Sequence, residues 1–215
     1  PLPSALVLAE SFRDELADRD DVERIEIAGS IRRQKETIGD IDLLVASTSD
    51  PTPIMDAFTK IAGVSEILVK GEKKTSVRTV QGIQIDLRVV APEVFGSALH
   101  YFTGSKEHHV KLRTRAKRQG MKISEYGVFK DGNPTPIASA TEEEVFEALG
   151  LKYIPPEIRE GFDEIDQAVE DNLPNLISME HVRGDIHMHT IESDGEATIL
   201  EMAQAAKALG YGDRG

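Results

Sequence analysis

The chain has no cysteine and no tryptophan, and aromatic residues make up only 5% of its 215 positions. Without cysteine there can be no disulfide and no thiolate metal centre, so any metal must be held by carboxylate or imidazole. No apolar run approaches the roughly 20 residues that a membrane-spanning helix needs, and no signal-peptide pattern opens the chain. These absences predict a cytoplasmic protein with no membrane partner. Positive charge is also scarce: 25 Lys and Arg stand against 38 Asp and Glu, a formal net charge of −13. A uniformly basic surface is excluded, and contact with a polyanion would need a local concentration of cations. What is present is ordinary for a globular chain, 40% hydrophobic and 29% charged, enough for one or two domains with their own cores.

The most informative stretch joins Gly29-Ser30, the pair Arg32-Arg33, and Gly39-Asp40-Ile41-Asp42, followed by the apolar run Leu43-Leu44-Val45-Ala46. On a strand, side chains alternate faces, so Asp40 and Asp42 point one way while Ile41, Leu43 and Val45 point the other, into a core. Two carboxylates side by side repel unless a cation lies between them, and hard divalent ions prefer such oxygen ligands. Upstream, residues 22–28 read as a strand that Gly29-Ser30 turns into a short helix, whose free N–H groups face an anion such as phosphate. Arg33 is placed to clamp a triphosphate, and Gly39 to admit a close backbone approach. An Asp-x-Asp pair alone is often only a solvated strand edge; the turn, the arginines and the buried-type strand together favour a site.

This arrangement, GSxRR followed by GDIDLLV, resembles the nucleotidyltransferases related to DNA polymerase beta, in particular the family X DNA polymerases. The resemblance implies an α+β fold: a nucleotidyltransferase palm with a mixed sheet and flanking helices, a small α/β thumb, and the start of a polymerase-and-histidinol-phosphatase (PHP) domain. It implies transfer assisted by two metal ions, Mg2+ or Mn2+, with deoxynucleoside triphosphates and gapped or primer-template DNA as partners and a monomeric protein.

Along the chain, Ala5, Leu8, Phe12 and Leu16 recur at helical spacing. The chain opens in this helix without the small lyase-like domain that usually precedes the family's palm, which suggests an N-terminal truncation. Pro51-Thr52-Pro53 precedes a short helix ending near Gly63, and residues 64–69 and 74–80 read as strands. In Ile83-Gln84-Ile85-Asp86-Leu87-Arg88-Val89, alternation sends the aliphatic residues inward and Asp86 outward, beside Gln84 and Arg88. The resemblance makes Asp86 the third catalytic and metal-binding aspartate, with Arg88 pairing with it and gating it. The residues alone also allow a merely exposed strand aspartate; the resemblance favours the catalytic role.

A new element begins at Pro92 and ends at Tyr101-Phe102-Thr103-Gly104-Ser105. The resemblance makes Tyr101, Phe102 and Gly104 the wall against the sugar of the incoming nucleotide; a helix-end core cluster followed by a turn is an equal reading of the residues alone. Ser105 is placed to cap a helix reaching Gln119 and closed by Gly120. That helix carries Lys106, Lys111, Arg113, Arg115, Lys117 and Arg118, the basic concentration that DNA would need, although such a run can also be a solvated face. By resemblance Arg113 lies near the template base and His109 near the incoming base. The beta-type pattern has an acidic residue at Lys106 and an asparagine at His109. Residues 121–129 resemble a short thumb strand, with Glu125 and Tyr126 as partners of Arg88 or Arg113.

Thr141-Glu142-Glu143-Glu144 predicts a capping box opening a helix to Leu149. The acidic, helix-prone residues 157–172 before Leu173-Pro174 read as a tether between units. The expected domains are a palm over 1–91, a thumb over 92–155, a linker over 156–183 and an incomplete PHP domain over 184–215. In the last, His187-Met188-His189 on a strand would aim two imidazoles to one side, a pairing seen in metal sites and also on solvated strands. With Gly184-Asp185, Ser193-Asp194-Gly195 and a helix over 198–209, it resembles the opening of a PHP domain. His187 and His189 would then bind Zn2+ or Mn2+. The domain's later ligands have no counterpart here and residues 212–215 do not continue its expected strand, so a 3′-to-5′ exonuclease is expected only of a longer chain.

The best account of the sequence is a gap-filling repair polymerase. The alternatives are a template-independent or small-substrate nucleotidyltransferase, against which the basic helix argues, and a non-catalytic DNA-end-binding module, which would not need three aspartates.

Overall fold

The computed structural model describes residues 1–184 and 186–211. The chain divides into two compact units, Pro1–Leu173 and Pro174–Gly215, each described by itself.

The first unit is built on a five-stranded sheet, mixed as the resemblance implies. Its strands are β1 (Arg24–Ile27), β2 (Asp40–Ala46), β3 (Val64–Lys70), β4 (Lys74–Thr79) and β5 (Gln84–Val90), in the order β1-β2-β5-β4-β3. β2 and β5 run parallel and the other pairings are antiparallel. The two parallel strands occupy the middle of the sheet, and both alternate strictly. Ile41, Leu43 and Val45 of β2 join Ile85, Leu87 and Val89 of β5 in one buried layer. Against it pack Ala5, Ala9, Phe12 and Leu16 of α1 (Leu2–Ala17) and Ile54, Met55 and Phe58 of α3 (Thr52–Phe58). Between β1 and β2 lies the single turn of α2 (Gly29–Arg32). On the opposite face, Leu44 and Ala46 pack with Phe95, Ala98 and Leu99 of α4 (Phe95–Thr103). The sheet is thus covered on both sides near its middle, leaving Asp40 and Asp42 at the end of β2 that α4 does not cover.

A second core follows in the chain. Leu112 and Ala116 of α5 (Lys106–Arg118) pack on Ile123 of β6 (Met121–Ser124), Val128 of β7 (Gly127–Lys130), and Val145 and Phe146 of α6 (Glu142–Ala148). The expected single strand over 121–129 is a hairpin, with Glu125 and Tyr126 in its turn. Gly127, at φ 142°, lies so close to Pro136 and the Ala138 carbonyl that a Cβ would stand 2.7 and 2.8 Å from them. Ser105 caps α5 by accepting the His108 N–H at 3.2 Å. Thr141 likewise accepts the Glu144 N–H, but Glu144 returns its carboxylate to the Ala140 N–H, so the predicted reciprocal box at α6 is only half formed.

The residues expected to form a tether are not one. Arg159 and Glu164 are buried, and Ile165 and Ala168 of α7 (Glu164–Val169) belong to the second core. The acidic composition suggested a solvated linker; apolar residues at helical spacing within it and internal pairing of its charges override that bias.

In the second unit, α8 (Ile199–Ala208) carries a complete capping box between Thr198 and Glu201. Residues 186–190, expected as a strand, adopt no regular element. A strand requires a neighbour for its backbone groups, and among the described residues none pairs with this segment.

Candidate active site

Parallel pairing of β2 and β5 sets Asp42 directly beside Asp86, and Asp40 beside Gln84. Since residues two apart share a face, Asp40, Asp42 and Asp86 all lie on the side away from the Ile41–Leu43–Ile85–Leu87 layer. Asp40 is exposed, Asp42 is partly buried and Asp86 is 6% exposed. The Ala28 N–H donates to the Asp42 carbonyl at 2.8 Å, which brings the end of β1 and the start of α2 over this edge. Gly29, at φ 62°, fits there because it lacks a side chain: a Cβ would stand 2.4 Å from Asp42 Oδ2. Ser30 follows it in the first turn of α2. Gly39, expected to permit a similar approach, faces open space, with nothing within 4 Å of a notional Cβ. The close contact belongs to Gly29.

The carboxylates are not equivalent. Burial, then the charges of Asp40 and Asp86, push the Asp42 carboxyl up to about 6. Burial also opposes ionisation of Asp86, but Lys74 Nζ at 2.5 Å and Gln84 Nε2 at 2.9 Å outweigh it and hold that carboxyl below its ordinary range. The resemblance predicts Arg88 as the partner of Asp86. Lys74 takes that position because β4 runs beside β5 and places Lys74 within reach, whereas Arg88 lays its guanidinium over the Phe102 ring at 4.2 Å and leaves Nε without a hydrogen-bond partner.

Hard oxygen donors with excess negative charge at Asp42 suit a divalent cation. Among the described residues, however, no three His, Cys, Asp or Glu groups stand in an arrangement that could hold a metal ion. Both Asp86 oxygens are engaged by Lys74 and Gln84, so recruiting Asp86 would require an ion to replace the lysine.

The arginine pair is bound to the protein itself. Arg32 donates to Glu142 at 2.6 and 2.9 Å and to Thr103 Oγ1 at 2.8 Å. Arg159, fully buried, donates to the same Glu142 at 2.5 Å and to the Ile154 carbonyl at 2.8 Å. Burial alone would raise the Glu142 carboxyl, but the two guanidinium groups reverse this and lower it. Arg33, predicted as a triphosphate clamp, donates to the Thr103 carbonyl at 2.5 Å and to Glu160 at 2.9 Å. The clamp is therefore already occupied by a carboxylate.

Along α4 and α5, Tyr101 is partly exposed and its ring meets Phe102 edge-on, with centroids 5.2 Å apart. Gly104 turns the chain at φ 76°, with the Arg33 guanidinium 3.0 Å from a notional Cβ. His109, expected to meet a base, is buried, and its Nε2–H donates to the Tyr101 carbonyl at 2.9 Å. Burial, then the neighbouring His108, press it down to about 4, so it is a neutral imidazole whose one N–H is already used. Arg88, Phe102, Glu125 and Tyr126 line one cleft of about 390 Å³, which brings together the residues predicted to meet, without a direct hydrogen bond between Arg88 and the hairpin turn.

On α5, Lys106, Lys111, Arg113, Lys117 and Arg118 are exposed. Lys111 Nζ donates to the Phe162 carbonyl. Arg115 differs from the other cations. Its Nε donates to the Leu149 carbonyl at 2.8 Å, closing the C-terminus of α6, so it serves packing and not an outward-facing patch.

In the second unit the His187 and His189 rings lie 5.0 Å apart, and His189 Nδ1 is 2.5 Å from Asp194 Oδ1. Gly195 fits against the His189 carbonyl, 2.4 Å from a notional Cβ. The expected contributions of Asp185 and of residues 212–215 lie outside the described residues.

Sequence reasoning missed Lys74, Glu142, Arg159 and Glu160. A lysine in an exposed-looking strand and a glutamate in an acidic run carry no local mark of pairing. Only the Arg32-Arg33 doublet hinted that two anions were needed nearby.

Comparison with known proteins agrees with this architecture. Residues 98–160 match the family described as DNA polymerase beta thumb. Over 213 residues, 98% of this chain, the sequence is 35% identical to the DNA polymerase/3′-5′ exonuclease PolX of Bacillus subtilis. It is 29% identical over 159 residues to DNA polymerase lambda of Rattus norvegicus, and 29% over 136 residues to the repair DNA polymerase X of African swine fever virus, each match covering 61% of this chain. The chain spans 37% of the Bacillus relative, 28% of the rat relative and 78% of the viral one. With the thumb matched and relatives of one kind along its length, the chain belongs to the family X DNA polymerases.

Proposed function

We propose that this chain performs template-directed addition of deoxynucleotides to a primer 3′-hydroxyl in gapped DNA, with residues 1–91 as palm and the residues from 92 through α7 as thumb. The observation that carries the reading is the in-register placement of Asp42 and Asp86 on adjacent parallel strands, with Asp40 on the same face and Gly29 seated against Asp42. Once an ion replaces Lys74 at Asp86, Asp40, Asp42 and Asp86 would hold two divalent ions, Mg2+ or Mn2+, which when bound would supply charge neutralisation at the attacking and leaving oxygens. Burial and the neighbouring carboxylates raise Asp42, so a cation bound beside it would relieve that repulsion. The N-terminal turn of α2, at Gly29 and Ser30, faces the β- and γ-phosphates, with Arg33 beside it. Tyr101 and Phe102 line the sugar, and the outward-facing cations of α5 bind the DNA backbone, Arg113 foremost. Attack forms the O3′–Pα bond, breaks the bond to pyrophosphate and releases the 3′-hydroxyl proton to water, so the residues that hold the triphosphate act by positioning and by charge.

Primer extension on a gapped duplex, with and without a template base opposite the gap, tests this reading. Asp42→Ala should abolish addition while leaving affinity for the gapped duplex unchanged. Equal loss of both would point to a DNA-binding module, and template-independent addition would point to the other branch of nucleotidyltransferases. By the same reading His187 and His189 belong to the opening of a PHP domain.

A further inference from the structure

Glu160 is held firmly. On one side Arg159 is fully buried, and its carbonyl accepts the Ser105 N–H at 3.0 Å. On the other, Gly161, at φ 79°, lies against Glu107, where a Cβ would be 2.5 Å from the Glu107 Cβ. From this support the Glu160 carboxylate reaches two cations of the segment following α2: Arg33 Nε at 2.9 Å and Lys35 Nζ at 3.4 Å. The Lys35 N–H also donates to the Ser30 carbonyl at 3.1 Å, so both cations belong to the turn proposed to face phosphate. The Arg33 and Glu160 side chains are only 13% and 20% exposed, so water screens their attraction weakly.

Two cations suited to polyphosphate therefore already share an anion of the chain's own, brought from a turn 127 residues away in sequence. A ligand that takes Arg33 and Lys35 must displace this carboxylate or tolerate it as a neighbour. Either way the requirement bears harder on a ligand with less charge, because its gain at the two cations is smaller against the same loss. We propose that Glu160 is a built-in counter-anion of the phosphate site, a specificity-determining residue that a triphosphate displaces and a shorter phosphate does not. The inference rests on the assignment of a nucleoside triphosphate to the Gly29-Ser30 turn, and adds to it a residue that sets how many phosphates are accepted.

The test is calorimetric titration of the full chain, without divalent metal, using inorganic tripolyphosphate and inorganic pyrophosphate. In Glu160→Gln both should bind more tightly, pyrophosphate by roughly 5–10-fold and tripolyphosphate by less, so that selectivity narrows. Adding Arg33→Ala should remove the gain. A purely structural tie predicts a lower melting temperature with unchanged selectivity, and that result overturns the inference. A second measurement needs no change at Glu160: the Arg33 Nε–H resonance, assigned by its loss in Arg33→Lys, should move on saturation with tripolyphosphate and stay in place with pyrophosphate. A resonance that is unmoved by bound tripolyphosphate overturns the inference alone. Failure of both the unsubstituted chain and Glu160→Gln to bind tripolyphosphate overturns the phosphate-site reading together with it.

Discussion

Lys74 Nζ stands 2.5 Å from Asp86 Oδ2, at the carboxylate that lies in register with Asp42. An ammonium group thus holds a carboxylate that the proposed reaction would give to a divalent ion, and the two cations compete for one anion. Replacing Lys74 by Met removes the competitor and leaves Asp86 free but less well compensated. Affinity for Mn2+, followed by its electron paramagnetic resonance signal, should rise several-fold. Unchanged affinity would mean that Asp86 does not enter the metal site.

Asp42 connects function to stability. Its folded-state carboxyl titrates at about 6, above the ordinary aspartate range, so between roughly pH 4 and 6 the folded form holds a proton that the unfolded chain has released. Stability of the metal-free protein should therefore fall as pH rises through this window, and cation affinity should fall as pH drops below about 6. Asp42→Asn, which cannot ionise, should stabilise the metal-free chain at neutral pH by on the order of 1–3 kcal/mol while abolishing nucleotide addition. Chemical denaturation with and without Mg2+ measures the first effect and primer extension the second.

Gly29→Ala should damage the same site by a different route. The residue sits at φ 62° and its Cβ would meet Asp42 Oδ2 at 2.4 Å, so either the α2 turn or the carboxylate must move. Nucleotide addition should drop at least tenfold with folding retained, checked by kcat/KM beside a thermal melt. Gly39→Ala, where the space is open, should leave both nearly unchanged.

Glu142 joins Arg32 of α2 to Arg159, and removing one partner leaves a buried charge without its counterpart. Arg159→Met should cost about 3–5 kcal/mol, measured by urea unfolding. Because the Glu142 carboxyl is held low, its contribution is present above the ordinary carboxylate range and is lost as pH falls below it, so Arg159→Met should narrow its difference from the unsubstituted chain in acid.

The basic helix should divide by orientation. Arg113→Ala should weaken binding to gapped DNA and reduce its salt dependence by about one unit of log–log slope. Arg115→Ala, which unties the Leu149 carbonyl, should lower the melting temperature and leave that slope unchanged.

Local pattern in the chain was enough to place the elements around the proposed site. Period-two alternation determined that Asp40 and Asp42 share a face and that Ile85 and Leu87 turn inward. The Gly-Ser pair marked the turn into α2, and Ser105 and Thr198 marked helix starts, because each of these properties depends on neighbours within a few residues. Pairing over long distances in sequence was not legible. That Lys74 and not Arg88 would meet Asp86 depends on the antiparallel placement of β4 beside β5. That Arg33 would be held by Glu160, and Arg115 by the end of α6, depends on the second core folding residues 142–169 back against α4, α5 and the α2 turn. Composition suggested the opposite for residues 157–172, since an acidic run is usually solvated. Charge alone cannot tell a tether from a segment whose anions are matched by buried arginines. Which side chains face together along each element follows from the local order of residues, whereas which opposite charges meet depends on where separate segments come to rest against one another.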